Sequence, residues 1–132
     1  MGQDGMNQLQ HRGTIRSYFD LTAWQKARLL VKAVYETSSS FPQQEIYGLV
    51  SQIRRAAVSV PSNIAEGYGR GTRNDYIHFL HTSRGSLYEI ETQMILAQDL
   101  GFVSPQQAQP AMKLITECGQ LLNALIGSLE RD

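Results

Sequence analysis

Residues Thr72–Gly101 read TRNDYIHFLHTSRGSLYEIETQMILAQDLG, and this stretch decides the fold. Tyr76, Leu80, Ser83, Leu87, Ile90, Met94 and Ala97 recur at steps of three and four, the spacing of a helical seam rather than of a strand. Thr72 with Asp75 three residues later resembles a capping box, and Gly101 takes a left-handed cap without a Cβ penalty. The helix predicted over 72–100 is about 42 Å long at 1.5 Å per residue. A helix of that length with one apolar seam must bury the seam against other helices.

Three further segments carry the same signal. Thr22 and Gln25 resemble a capping box at the head of a helix over 22–38, where Trp24, Ala27, Val31, Val34 and Tyr35 repeat at helical spacing. Before it, Ile15, Tyr18, Phe19 and Leu21 suit a strap packed on the helices. The run Ser38-Ser39-Ser40-Phe41-Pro42 breaks that helix, and Pro42 suits the start of a second one over 43–68. Leu49, Ile53, Ala56, Val60, Ile64 and Gly67 share one of its faces. Pro61 lies inside it, removes the bond to the Ala57 carbonyl and is expected to kink the helix. A fourth helix over 105–129 starts at Ser104-Pro105 with Gln107. Its seam is Met112, Ile115, Gly119, Leu122, Ile126 and Leu129, with Pro110 an irregularity near its start. Short connections between long helices favour antiparallel neighbours. The expected fold is all-α: an antiparallel up-down-up-down four-helix bundle over 15–132, preceded by a disordered tail over 1–14.

The bulk properties narrow the function. Twelve Lys and Arg balance twelve Asp and Glu among 132 residues, so no overall field draws the chain to nucleic acid or an anionic membrane. Cys118 is the sole cysteine, which excludes an intramolecular disulfide and fits a reducing compartment. It sits among helical apolar positions with no activating His or Lys beside it, as a buried thiol does. No run reaches the length of a membrane span, and the Gln-rich start lacks the apolar core of a signal peptide. A cytoplasmic protein with no membrane partner is expected.

Some side chains fall outside the seams. On the second helix Arg55, Ser59, Ser62 and Glu66 point away from the core, and Arg54, Val58, Pro61 and Ala65 form a half-apolar flank. On the third, Leu96 and Leu100 lie opposite the seam and Gly85 makes a notch. Surplus apolar residues on a small chain suggest a second copy of itself, although singly exposed leucines are also common. Arg84 and Glu91 flank the third seam two turns apart, so each needs a charge from elsewhere, with Arg54 a candidate for Glu91. The three residues are expected to form a structural polar layer.

Spacing argues against each catalytic constellation the residue types suggest. Asp75, His78 and His81 offer metal-ligand types, but steps of three swing by about 60° around a helix, so the side chains fan out. Glu66, Glu89, Glu91 and Glu117 lack a His three residues on, against a di-iron site. The glycines at 67, 69 and 71 follow a helix rather than a strand and have no Gly-Lys-Ser/Thr, against a phosphate loop. Neither a catalytic residue, a metal nor a cofactor is assigned. Arg54, Arg55, Arg70 and Arg73, with Glu66 as the one acid between them, form a local basic run. Tyr68 and Tyr76 add stacking surfaces, so the four arginines are a candidate nucleic-acid or anion site; a solvated helix end with intersubunit salt bridges is the simpler reading of them.

YGLVSQIRRAAVSVPSNIAEGYGRG, from Tyr47 to Gly71, resembles the signature of the four-helix-bundle proteins encoded in intervening sequences of bacterial 23S ribosomal RNA genes. The similarity extends to Leu21, Trp24-Gln25-Lys26-Ala27, Phe41-Pro42, Phe79-Leu80, Ser83-Arg84-Gly85-Ser86-Leu87, Glu89, Glu91-Thr92-Gln93, Ala97 and Leu100-Gly101, and so covers roughly 15–129. The resemblance implies a ring-like homo-oligomer, favouring a pentamer, of unassigned biochemical role. It also implies a relation to the accessory variability proteins of diversity-generating retroelements, which partner a reverse transcriptase, bind nucleic acid and are strongly basic where this chain is neutral. The expected function is a non-enzymatic homo-oligomeric scaffold or binding module, with a nucleic-acid-binding accessory factor as the alternative.

Overall fold

The computed structural model describes residues 15–131; the tail expected over 1–14 lies outside them. Four long helices carry the chain: α1 (Thr22–Ser38), α2 (Leu49–Tyr68), α3 (Arg73–Asp99) and α4 (Pro105–Arg131), with no strand among the described residues. Each helix packs against the next in sequence, and α1 packs against α4, so the contacts close a cycle around one core. Leu30, Val34, Ile53, Val60, Ile64, Leu80, Leu87, Ile90, Met94 and Leu122 are fully buried there. Most of them are positions of the seams read from the sequence, because a 3.6-residue period keeps one stripe of each helix facing inward.

The helix ends show which caps form. Thr72 accepts a hydrogen bond from the Asp75 backbone N–H at 3.2 Å and opens α3. At α4 the box is reciprocal: Ser104 Oγ accepts from the Gln107 N–H at 3.1 Å, and Gln107 Oε1 accepts from the Ser104 N–H at 2.9 Å. The box expected at α1 does not form. Leu21 is the N-cap with no side-chain cap bond, Thr22 is already helical, and Gln25 Nε2 donates instead to the Phe19 carbonyl at 2.8 Å. That bond ties the 3-10 turn Tyr18–Asp20 to α1, where Tyr18, Phe19 and Trp24 pack ring to ring with centroids 4.6 to 5.2 Å apart.

The second helix starts later than its periodicity predicts. Gln43–Glu45 is a 3-10 turn, and α2 begins only at Leu49, after Gly48. Glu45 Oε1 accepts from the Leu49 N–H at 3.2 Å, serving as a cap from outside the helix. Both prolines lie inside continuous helices, Pro61 in α2 and Pro110 in α4. Pro110 sits in the second turn and is exposed, so its ring meets solvent rather than a neighbour. At Pro61 the interface is polar: Ser83 Oγ of α3 donates to the Val60 carbonyl at 2.9 Å. Next to it, Ser59 and Ser86 hydroxyls bond at 2.8 Å, and Asn63 Nδ2 donates to the Ser59 carbonyl and hydroxyl, both at 2.8 Å. A hydroxyl buried between helices must be partnered, and these residues partner one another.

Candidate interaction surfaces

The four arginines of the basic run have separate environments. Arg54 is half-buried and turned back onto α1: its Nε donates to Ser38 Oγ at 2.8 Å and its Nη2 to the Tyr35 carbonyl at 3.2 Å. Its guanidinium also stacks on the Tyr35 ring, 4.5 Å from the centroid. These bonds cap the α1 C-terminus from α2, with the Tyr35 carbonyl accepting from Arg54 as well as from the Ser39 N–H. Arg55 is exposed, bonded to Ser51 Oγ at 3.2 Å. Arg70 pairs with Glu66 at 3.1 Å and lies over the Phe79 ring, while Arg73 is exposed at the start of α3. About 20 Å of α2 separates Arg55 from the Arg70 end, so the run divides into two sites rather than one patch.

The polar layer expected from Arg54, Arg84 and Glu91 is not assembled. Arg84 bridges to α4, donating to Asn123 Oδ1 at 2.8 Å, and lies 2.8 Å from His81 Nδ1. Among the described residues no ion pair joins Arg54 to Glu91. Arg54 turns instead to the α1 terminus, where Ser38 Oγ and the Tyr35 carbonyl take its donors. The ion pair that links two helices through a lysine, Lys26 Nζ to Glu117 at 3.3 Å, involves neither residue.

His81 turns to α4, with Nε2 3.6 Å from a Glu130 oxygen, whereas His78 sits edge-on to Phe79. Among the described residues no group of three or more His, Cys, Asp or Glu side chains gathers as metal ligands do. Cys118 is 1% exposed in the core. Burial pushes its thiol from the ordinary 9.0 up to about 12, against the lowering effect of Lys26 and with a smaller push from Glu117. Burial likewise raises the Tyr76 hydroxyl, helped by Tyr68. A raised acid favours the folded chain while the group is protonated in both states. That stability is complete below about pH 9 and is lost as the pH climbs towards the folded value. Urea midpoints at about pH 7 and about pH 10 are therefore expected to fall with pH in the native chain and less in Cys118→Ala. Equal slopes in both would show that Cys118 does not carry the effect.

The outer surface is unevenly apolar. Tyr88, Ile95 and Leu96 are exposed on α3 and Leu100 at its C-cap, with Val58 on α2 and Leu29 on α1. A continuous groove between α2 and α3 runs from Arg55 and Ser59 past Gln52, Glu89 and Gln93 to Tyr88 and Leu96. On the other side of α2 a cleft of about 420 Å³ is lined by Trp24, Arg28, Val31, Val58, Pro61 and Ala65. The sequence flagged Leu96, Leu100, Val58 and Pro61 for these surfaces; Tyr88 and the Trp24 side needed the packing.

Residues 19–124 match the family profile described as 23S rRNA-intervening sequence protein, from the aromatic strap at Phe19 through most of α4. The chain belongs to that family. No curated protein matches it. The string from Tyr47 to Gly71 falls on α2 and its flanking turns, and the structure gives several of its residues structural duties. Arg54 caps α1, Ser59 bonds across to Ser86 and is held by Asn63 from its own helix, and Gly67 makes room for Phe79. No described helix is long and apolar enough to cross a membrane.

Proposed function

We propose that this chain is a non-enzymatic, cytoplasmic, homo-oligomeric four-helix bundle, a pentamer by family resemblance, that serves as a scaffold or binding module. The observation that carries the reading is the apolar surface left on the outer side of α3. Tyr88, Ile95 and Leu96, with Leu100 at its C-cap, are between 45% and 62% exposed on a helix whose other face is already buried in the core. Apolar side chains gathered on one outer side favour a protein partner, and closed symmetric self-assembly is the commonest form.

An up-down-up-down course is supported by contacts that run in opposite senses along each pair of neighbours. Trp24 shares a cleft with Pro61 while Ser38 meets Arg54, and Val60 meets Ser83 while Gly67 meets Phe79. His81 reaches Glu130 while Arg84 reaches Asn123. A bend of α2 at Pro61 is supported by the missing N–H of its ring, which leaves the Ala57 carbonyl without a helical donor. The nucleic-acid reading on Arg54, Arg55, Arg70 and Arg73 draws less support, because Arg54 and Arg70 are tied to protein groups and the pairs stand apart.

Light scattering coupled to size exclusion at micromolar concentration tests the assembly. The expected mass is five times the 14.8 kDa subunit. A mass of one subunit would overturn the reading.

A further inference from the structure

We infer that the groove between α2 and α3 binds a free α-amino acid with an apolar side chain. Arg55 takes its carboxylate, Glu89 its ammonium group, and Tyr88 with Leu96 its side chain. The site lies within one subunit and goes beyond the assembly reading, whatever the number of copies.

The groove carries two opposite charges that do not neutralise each other. Arg55 of α2 and Glu89 of α3 line the same hollow of about 490 Å³, and both are exposed. Among the described residues they form no ion pair, either with each other or with a third residue. Arg55 spends one N–H on Ser51 Oγ at 3.2 Å. A guanidinium presents its five donors in a planar fork, which leaves enough of them for both oxygens of a carboxylate.

The floor of the hollow adds a neutral donor. The Ser59 and Ser86 hydroxyls share one hydrogen bond at 2.8 Å, and Asn63 Nδ2 donates to Ser59 Oγ. One of the two hydroxyl hydrogens is used between the serines. The other has no acceptor among the described residues, whichever serine carries it. Ser59 stands one turn from Arg55, a rise of about 6 Å, so the spare hydrogen and the guanidinium can serve one carboxylate together.

Beyond Glu89 the groove changes character. Gln52, Glu89 and Gln93 line both its polar part and a second part bounded by Gly85, Tyr88 and Leu96. Tyr88 is 54% and Leu96 45% exposed, and an added Cβ at Gly85 would meet nothing within 4 Å. The Glu89 carboxylate thus sits where the polar and apolar parts join. In an α-amino acid the carbon that bears the ammonium group also bears the carboxylate and the side chain, which diverge from it. Guanidinium, carboxylate and apolar surface follow one another along the groove in the matching order. Sites for small molecules combine apolar surface with a few placed polar groups in this way. The same two charges give selectivity: an acid without the amine meets Glu89, and an amine without the acid meets Arg55.

Isothermal titration of the native assembly with L-leucine, L-methionine and L-phenylalanine tests the site. At least one is expected to bind saturably, once per subunit. The tightest is then compared with its deaminated acid, its decarboxylated amine and glycine, each expected to bind at least about tenfold more weakly. Arg55→Gln and Glu89→Gln are each expected to weaken binding at least about tenfold, with unchanged far-ultraviolet circular dichroism. Arg73→Gln, exposed at the start of α3, is expected to bind like the native chain. The analogue series needs no variant, so it decides the outcome even if one misfolds. No binding of any of the three at about 10 mM, equal binding of the acid, the amine or glycine, or full binding by either folded groove variant overturns the site. Mass is read separately by light scattering: failure here leaves the assembly reading standing, and a monomer that binds leaves the site standing.

Discussion

Leu87→Ala is expected to destabilise the folded chain by about 2–5 kcal/mol, the range for truncating a buried leucine whose surroundings relax incompletely. Leu87 is 1% exposed near the middle of α3. Its Cδ2 points at Gly119 of α4, where a Cβ built on the glycine would lie 3.5 Å away. The side chain is thus a knob seated over a backbone on the facing helix, and alanine leaves the space with nothing on the same helix to move into it. Single domains of this size hold about 5–15 kcal/mol in total, so the loss is a large share of the whole. Urea denaturation followed by circular dichroism reads it as a lower midpoint at constant slope. Native and variant chains should be compared at one protein concentration, since assembly adds to apparent stability. A change under about 1 kcal/mol would mean that the α3–α4 seam is not close-packed at this level.

Gly67→Ala carries the second large effect, and its sign runs against helix propensity. Alanine in place of a helical glycine ordinarily stabilises by about 0.5–1 kcal/mol. At Gly67, however, the new Cβ would stand 2.8 Å from Phe79 Cβ and 3.2 Å from both the Tyr76 carbonyl oxygen and Tyr76 Cδ1. Phe79 Cβ is fixed to the α3 backbone and cannot rotate away, so the helices must part. A cost of about 1–3 kcal/mol is expected from such overpacking. Gly119→Ala is the control. Its nearest foreign atom, Leu87 Cδ2 at 3.5 Å, is in ordinary contact, so there the propensity gain should survive. Opposite shifts of the thermal midpoint in the two variants are the expected result. A Gly67→Ala chain as stable as the native one would show that α2 and α3 do not approach as closely as this.

The helices and their buried faces were legible because a helix writes its inward stripe into the sequence every three or four residues. Leu80, Leu87, Ile90 and Met94 on α3, and Ile53, Val60 and Ile64 on α2, are buried where the spacing places them. Thr72 and Ser104 could be read as caps for a similar reason, since a cap joins residues three apart on one chain. Local rules also have local failures. Thr22 has the right spacing to Gln25, yet the preceding 3-10 turn carries the chain so that Leu21 takes the cap position. The late start of α2 at Leu49 follows from Glu45 and Gly48, whose turn competes with a helix that the apolar spacing alone would extend to Gln43.

The side chains outside the stripes were a different matter. By itself the sequence determined an all-α chain of four helices, the residues inside it and the family it belongs to, because periodicity and a specific local string depend on neighbours along one chain. Only the tertiary structure decided what Arg54 and Arg84 do. Arg54 caps α1 through Ser38 and Tyr35, Arg84 reaches Asn123, and the polar layer expected from these two with Glu91 is not built. The same holds for the groove beside Glu89 and Gln93 and the cleft beneath Arg28. These features join residues on different helices, and a long polar side chain chooses among acceptors that shift by several ångströms when one helix slides a residue or turns a few tens of degrees against its neighbour. That register is set by the packed core as a whole, and no single stretch of the chain records it.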